Sequence, residues 1–188
     1  VKKTFSTKGM QQSIGKRLTS LSYLLVTDID YTLIGGDNEH LDELKQLLDD
    51  NSEYIGFGVA TGRTIESALE ILKEHEISHP DLIISSVGSE IYYGSNLKYD
   101  QGYDAHVSKR WNREKIRSIL EQFDFLTYQE EDTQRKFKVS YYMEPRKDSL
   151  AKVHDALMKN KIRYNLIYSH DQFLDILPSA ASKGKAIR

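Results

Sequence analysis

Between Tyr23 and Ser86 the chain alternates short apolar runs with amphipathic stretches, and the connections between them are brief. Tyr23-Leu24-Leu25-Val26-Thr27 is a continuous apolar run, the pattern of a strand buried on both faces. Residues 39–50 (EHLDELKQLLDD) set Leu41, Leu44, Leu47 and Leu48 at helical spacing. A second buried strand is predicted over 54–60. A helix over 64–75 follows, with Ile65, Ala68, Leu69 and Leu72 on one face, and then a third strand over 81–86. Strand, helix, strand, helix, strand with short links is the signature of an α/β unit built on a parallel sheet.

The rhythm then changes. Strands are predicted near 90–93, 125–129, 136–143, 162–168 and 172–177, with helices over 112–123 and 148–159. Runs of strands punctuated by two helices suggest an inserted α+β unit. The expected organisation is a linker or arm over 1–20, a core formed by 21–95 and 171–188, and an inserted unit over 96–170. A chain of 188 residues has room for this arrangement. It begins with Val1 rather than methionine, which suggests a piece of something longer.

Composition removes several classes of function. With 26 basic and 28 acidic residues the formal charge is -2, so no electrostatic case exists for a nucleic-acid partner. The chain has no cysteine, which excludes thiolate metal sites and thiol nucleophiles and fits a cytoplasmic setting. No apolar stretch approaches the roughly 18 residues of a spanning helix, so no membrane partner is expected. His75-Glu76-Ile77-Ser78-His79 spells the H-E-x-x-H zinc pattern, which needs both histidines on one helix face. Pro80 disfavours helical geometry at His79 and argues against that reading. Residues 179–186 do not form a P-loop, because Ser179 and Ala186 break the pattern.

In a parallel α/β sheet, ligands bind at the carboxyl ends of strands. The first strand ends at Asp28-Ile29-Asp30-Tyr31-Thr32, and the second at Thr61-Gly62-Arg63 on the way into a helix. Two carboxylates and a hydroxyl beside a helix start suit a hard cation such as Mg²⁺ together with a phosphate. The plainer alternative is a turn whose acids cap a helix, though two acids at a buried strand end call for a reason.

Asp28-Ile-Asp30-Tyr-Thr32 is D-x-D-x-T and resembles the nucleophile motif of the haloacid-dehalogenase (HAD) phosphohydrolases. TDIDYTLIGG, VATGRT, SSVGSEIYY, KVSYYM and DILPSAASKGKAI together resemble the sucrose-phosphate phosphatase branch of that superfamily. They are also similar to the phosphatase-like domain attached to some bacterial sucrose-phosphate synthases. The likeness implies an α/β, HAD-like (Rossmann-like) parallel-sheet core with an inserted α+β cap. It implies Mg²⁺-dependent hydrolysis of a sugar phosphate, sucrose-6-phosphate first, through an aspartyl-phosphate. Asp28 would be the nucleophile and Asp30 the general acid and base. Asp28 and the backbone carbonyl of Asp30 would hold the metal. Thr61, Gly62 and Lys183 would bind the phosphate, and Arg63, Lys138 and Ser140 would meet substrate. For Lys183 the plain alternative is a solvated lysine beside an N-cap, Ser182. Nine of the 12 tyrosines fall between Tyr92 and Tyr168, where packing in half-buried strands accounts for most of them.

Two departures accompany the likeness. Tyr31 stands where the family usually has Asn or Gly. The chain stops at Arg188, before the strand that carries the family's last acidic motif, so the C-terminal part of the core is expected to be missing. The main alternative is therefore a catalytically silent sugar-phosphate-binding or docking domain, with a glycosyltransferase domain in the same parent chain as partner. A response-regulator receiver would split its acids between two strands and carry no insert.

Overall fold

A computed structural model describes residues 18–94 and 96–188, so the arm expected over 1–20 lies almost wholly outside the described residues. The chain divides into two compact units at Asp100/Gln101.

The first unit is a five-stranded sheet in the order β1-β2-β3-β4-β5, formed by Tyr23–Thr27, Ile55–Ala60, Leu82–Ser85, Glu90–Tyr93 and Lys98–Tyr99. β1, β2 and β3 run parallel, with Thr27 opposite Val59 and Ala60 opposite Ile84. β4 and β5 return antiparallel as hairpins. The crossovers are α1 (Asn38–Asp50) and α2 (Ile65–Glu74), as the apolar periodicity requires. Asp37 caps α1 by accepting from the Glu39 amide, and Thr64 caps α2 by accepting from Ser67, so both starts coincide with N-cap residue types. Ile83, Val59 and Ala68 are fully buried between sheet and helices, each large aliphatic group contributing ~2 kcal/mol by burial.

β2 and β3 match the expectation of strands buried on both faces, whereas β1 does not. Tyr23, Leu24 and Leu25 are 72%, 43% and 37% exposed, because among the described residues β1 pairs only with β2 and ends the sheet. Leu47 is also exposed; Leu41, Leu44 and Leu48 make the apolar face of α1.

The second unit packs a four-stranded antiparallel sheet, β6-β7-β9-β8, against helices. Its strands are β6 (Leu126–Tyr128), β7 (Val139–Met143), β8 (Tyr164–Ser169) and β9 (Phe173–Pro178), and its helices are α3 (Gln101–Val107), α4 (Arg113–Leu120), α5 (Ser149–Lys159) and α6 (Lys183–Ile187). Val139, Tyr141, Met143, Leu174 and Ile176 face Ile116, Leu120, Val153 and Leu157 in one core. The sequence grouping placed 171–188 with the parallel sheet. Here β9 instead pairs with β7 on one side and β8 on the other. The hydrophobic alternation of 173–178 fits either assignment, so the pairing could not be read from it. Helix α3 was not anticipated, since a seven-residue segment carries too little periodicity. Among the described residues no helix is long and apolar enough to cross a membrane.

Candidate active site

β1 delivers Asp28-Ile29-Asp30 into a tight loop at its carboxyl end. Ile29 is fully buried and anchors the loop. Its carbonyl accepts from Leu33 and Ile34 at 3.1 and 2.9 Å, and Asp30 bridges to Ile34. The Asp28 carboxylate accepts from the Ile29 amide at 2.8 Å, which orients the side chain relative to its own backbone. Tyr31 follows at φ 57° and 86% exposure, so its bulk points into solvent and does not crowd the loop.

β2 delivers Thr61, which is fully buried. Its amide donates to Ile84 across the sheet at 2.8 Å, and its hydroxyl accepts from the Arg63 amide at 3.1 Å. Gly62 lies between them. A Cβ placed there would find nothing nearer than Val87 Cγ2, 4.0 Å away, so packing within the chain does not demand glycine at this position.

Arg63 joins the two strand ends. Its Nε donates to both Asp30 oxygens at 3.1 and 3.0 Å, and Nη2 donates to Oδ1 at 2.7 Å. Nη1 donates to the Ser67 hydroxyl in α2 at 3.0 Å. The hydrogen bonds that it donates to Asp30 raise the Arg63 guanidinium above its ordinary value. Asp30, Thr61 and Arg63 therefore form one connected group, with Asp28 two residues away on the same loop. The sequence placed all of these at one crevice but did not show that Arg63 would grip Asp30.

The other expected residues belong to the second unit. Lys138 and Ser140 alternate with Val139 and Tyr141, which puts them on the sheet face opposite α4 and α5. Lys138 is 6% exposed and Ser140 fully buried. Both converge on Asp175, which sequence reasoning missed: Ser140 Oγ donates to its Oδ1 at 2.6 Å, and Lys138 Nζ lies 3.8 Å from the same atom. Gln134 continues the network, accepting from the Ser140 amide and donating to the Ser140 and Gln129 carbonyls. The alternation of KVSYYM puts Lys138 and Ser140 on one face, but Asp175 joins them only through the β7–β9 register, with Ser140 opposite Asp175. Lys183 is half-buried and opens α6, which Ser182 caps through the Lys185 amide.

The H-E-x-x-H pattern does not form a metal site. α2 ends at Glu74, His75 is its C-cap, and Glu76 turns left-handed at φ 52°. Among the described residues no group of three or more His, Asp or Glu is placed to hold a metal.

The sequence profile of the family described as Sucrose-6F-phosphate phosphohydrolase matches residues 21–188. The chain belongs to that family. It is 35% identical to Sucrose-phosphatase 1 of Nicotiana tabacum over 178 residues, spanning 91% of this chain and 42% of the tobacco protein. It is 30% identical over 166 residues to the glucosylglycerol-phosphate synthase of Pseudomonas anguilliseptica, spanning 88% of this chain and 21% of that one. Among solved structures, the sucrose-phosphatase of Synechocystis sp. PCC6803, determined in complex with sucrose and phosphate, matches with a TM-score of 0.82 and 30% identity. That match covers 89% of this chain and 68% of the cyanobacterial one. The fold is the HAD-like α/β arrangement, as the D-x-D-x-T resemblance implied. The chain thus spans less than half the length of its tobacco relative.

Proposed function

We propose that this chain carries the reaction centre of a HAD-type, Mg²⁺-dependent sugar-phosphate phosphohydrolase whose substrate is sucrose-6-phosphate. The observation that carries the reading is the linked group at the ends of β1 and β2, in which Arg63 ties Asp30 to the Thr61 loop beside Asp28.

In this reading an Asp28 oxygen attacks phosphorus, the bond from phosphorus to the sugar oxygen breaks, and an aspartyl-phosphate forms. Asp30 gives a proton to the departing sugar oxygen. It then takes one from the water that attacks phosphorus, which releases phosphate and regenerates the Asp28 carboxylate. Thr61 and the Gly62 amide hydrogen-bond the phosphoryl oxygens, with glycine leaving room for close approach. Lys183, in the stretch resembling the family's lysine motif, is assigned the fixed positive charge. Lys138 and Ser140, joined through Asp175, are assigned to sugar hydroxyls.

The donor set suits Mg²⁺, which is usually held by one or two carboxylates together with water and phosphate oxygens rather than by an all-protein cage. Asp28 and the Asp30 carbonyl would hold it, and when bound it neutralises charge on the phosphoryl oxygens. A second reading, a silent sugar-phosphate-binding domain alongside a glycosyltransferase, is favoured by the likeness to a synthase.

The test is phosphate release from sucrose-6-phosphate, with and without Mg²⁺, by the wild-type chain and Asp28→Asn. Asparagine keeps the acceptor for the Ile29 amide, so the loop persists while turnover falls at least ~10³-fold. Turnover that survives the substitution would sink the nucleophile assignment. Saturable substrate binding without turnover by the wild type would favour the silent domain.

A further inference from the structure

Beyond β3 the backbone takes three successive left-handed conformations, with φ of 51° at Ser86, 62° at Val87 and 87° at Gly88. Glycine adopts such angles freely, but a β-branched residue there is an outlier. Strain of this kind persists only where the surroundings over-determine it. All three residues are buried, and a single carboxylate gathers their surroundings. Glu90, 6% exposed, accepts at Oε2 from Ser85 Oγ at 3.0 Å, Ser86 Oγ at 3.2 Å and Tyr92 OH at 3.4 Å.

The turn touches each residue of the Thr61-Gly62-Arg63 loop. The Ser86 amide donates to the Arg63 carbonyl at 2.7 Å, and the Val87 amide donates to the Thr61 carbonyl at 3.0 Å. The Val87 methyl is the nearest group over Gly62. Successive amides in a turn can make a concave nest for an anion. Here they are aimed at the carbonyls of the neighbouring loop. A buried carboxylate is an expensive way to fill space, and an apolar side chain would serve packing alone.

We infer that Glu90 is a positioning residue for the strand-end site, holding the Ser86–Gly88 turn whose amides fix the Thr61–Arg63 loop and, through Arg63, the Asp30 carboxylate. The link to catalysis rests on the reading of that loop as the phosphate site; the positioning itself is a property of the chain.

Backbone amide exchange followed by NMR on the 188-residue chain tests it. In Glu90→Ala the Ser86 and Val87 amides should exchange about tenfold faster relative to the β2–β3 ladder. Leu48→Ala, a cavity at α1, should move both sets together. Glu90→Gln, which keeps an acceptor oxygen and the volume, should restore most of the protection. If Glu90→Ala does not fold, Ser85→Ala and Tyr92→Phe, each removing one hydroxyl donor, should give smaller shifts with the same selectivity. Exchange at Ser86 and Val87 that rises only in step with the ladder, as in the α1 control, would overturn the inference. A parallel titration with inorganic phosphate and Mg²⁺ should show Glu90→Ala binding about tenfold more weakly than wild type. Wild type failing to bind phosphate counts against the phosphate-site reading alone, and the exchange result still decides the role of Glu90.

Discussion

Arg63 holds both carboxylate oxygens of Asp30 in a fork while its own amide rests on the Thr61 hydroxyl. The acid at the end of one strand is thus set by the residue that closes the loop of the next. A lysine carries the same charge but cannot reproduce two parallel donors from one plane. Arg63→Lys is therefore expected to fold normally and to lose about 100-fold in phosphate release, the scale of a misplaced reacting group. The pair is part-exposed, so the cost in unfolding free energy should stay within ~1 kcal/mol. Steady-state kinetics with a denaturant titration checks both. A large stability loss with unchanged turnover would make the clamp structural only.

Glycine separates fold from site in β2 and its loop. At Gly58 an added Cβ would sit 3.1 Å from both the Cβ and the carbonyl oxygen of Leu82, and sheet backbone cannot easily give way. Gly58→Ala should cost about 1–3 kcal/mol. At Gly62 the same methyl would meet only Val87 Cγ2, at an ordinary contact distance of 4.0 Å, so Gly62→Ala should leave stability within ~1 kcal/mol of wild type. Its effect should fall on phosphate affinity, weakened about tenfold if the loop needs close approach. Urea denaturation and phosphate titration on the two variants give opposite patterns; equal phosphate affinity for Gly62→Ala and wild type would remove the loop from the site.

Most of this arrangement was legible because its determinants are local. The crossovers announced themselves by the apolar spacing of 39–50 and 64–75, and the strand ends by the change from apolar run to Asp28 and Thr61. What was hidden depends on pairing. Asp175 meets Ser140 only because β7 and β9 adopt one register, and β9 joins the second sheet although its alternation would serve either. β1 reads as a doubly buried strand; among the described residues it pairs only with β2, and Tyr23, Leu24 and Leu25 are exposed there. Glu90 opens the strand predicted near 90–93, and the convergence of three hydroxyls on it comes only with the folded turn.

Lys138 and Asp175 give a stability prediction with a clear sign. Asp175 is the acceptor for Ser140 and the nearest anion to a lysine whose side chain is 7% exposed. Asp175→Ala would leave that cation buried without its counter-charge, which should cost about 3 kcal/mol. Adding Lys138→Met to the same chain removes the stranded charge and should return most of the loss. A double variant as unstable as Asp175→Ala would show that the carboxylate matters for packing and not for Lys138. Chemical denaturation of the three proteins decides between these.

Tyr141 offers a pH-dependent test of the second unit's core. Its hydroxyl is buried among β7 and α4 residues with no hydrogen-bond partner among the described residues, and burial, with Tyr128 adding to it, pushes the phenol up to about 12 from 10.0. The raised value means that the folded state keeps its proton where the unfolded chain loses it. Stability from this group is therefore complete below the ordinary phenol value and drains away as pH climbs from 10.0 toward about 12. Tyr141→Phe abolishes that drain. It also removes an unsatisfied hydroxyl, so near neutral pH it should be as stable as wild type or better by about 1 kcal/mol. At about pH 11 the variant's advantage should widen by a further ~1.4 kcal/mol. Urea unfolding of both proteins at the two pH values measures the difference of differences, and a gap that does not widen would mean that the phenol is reached by water and titrates normally.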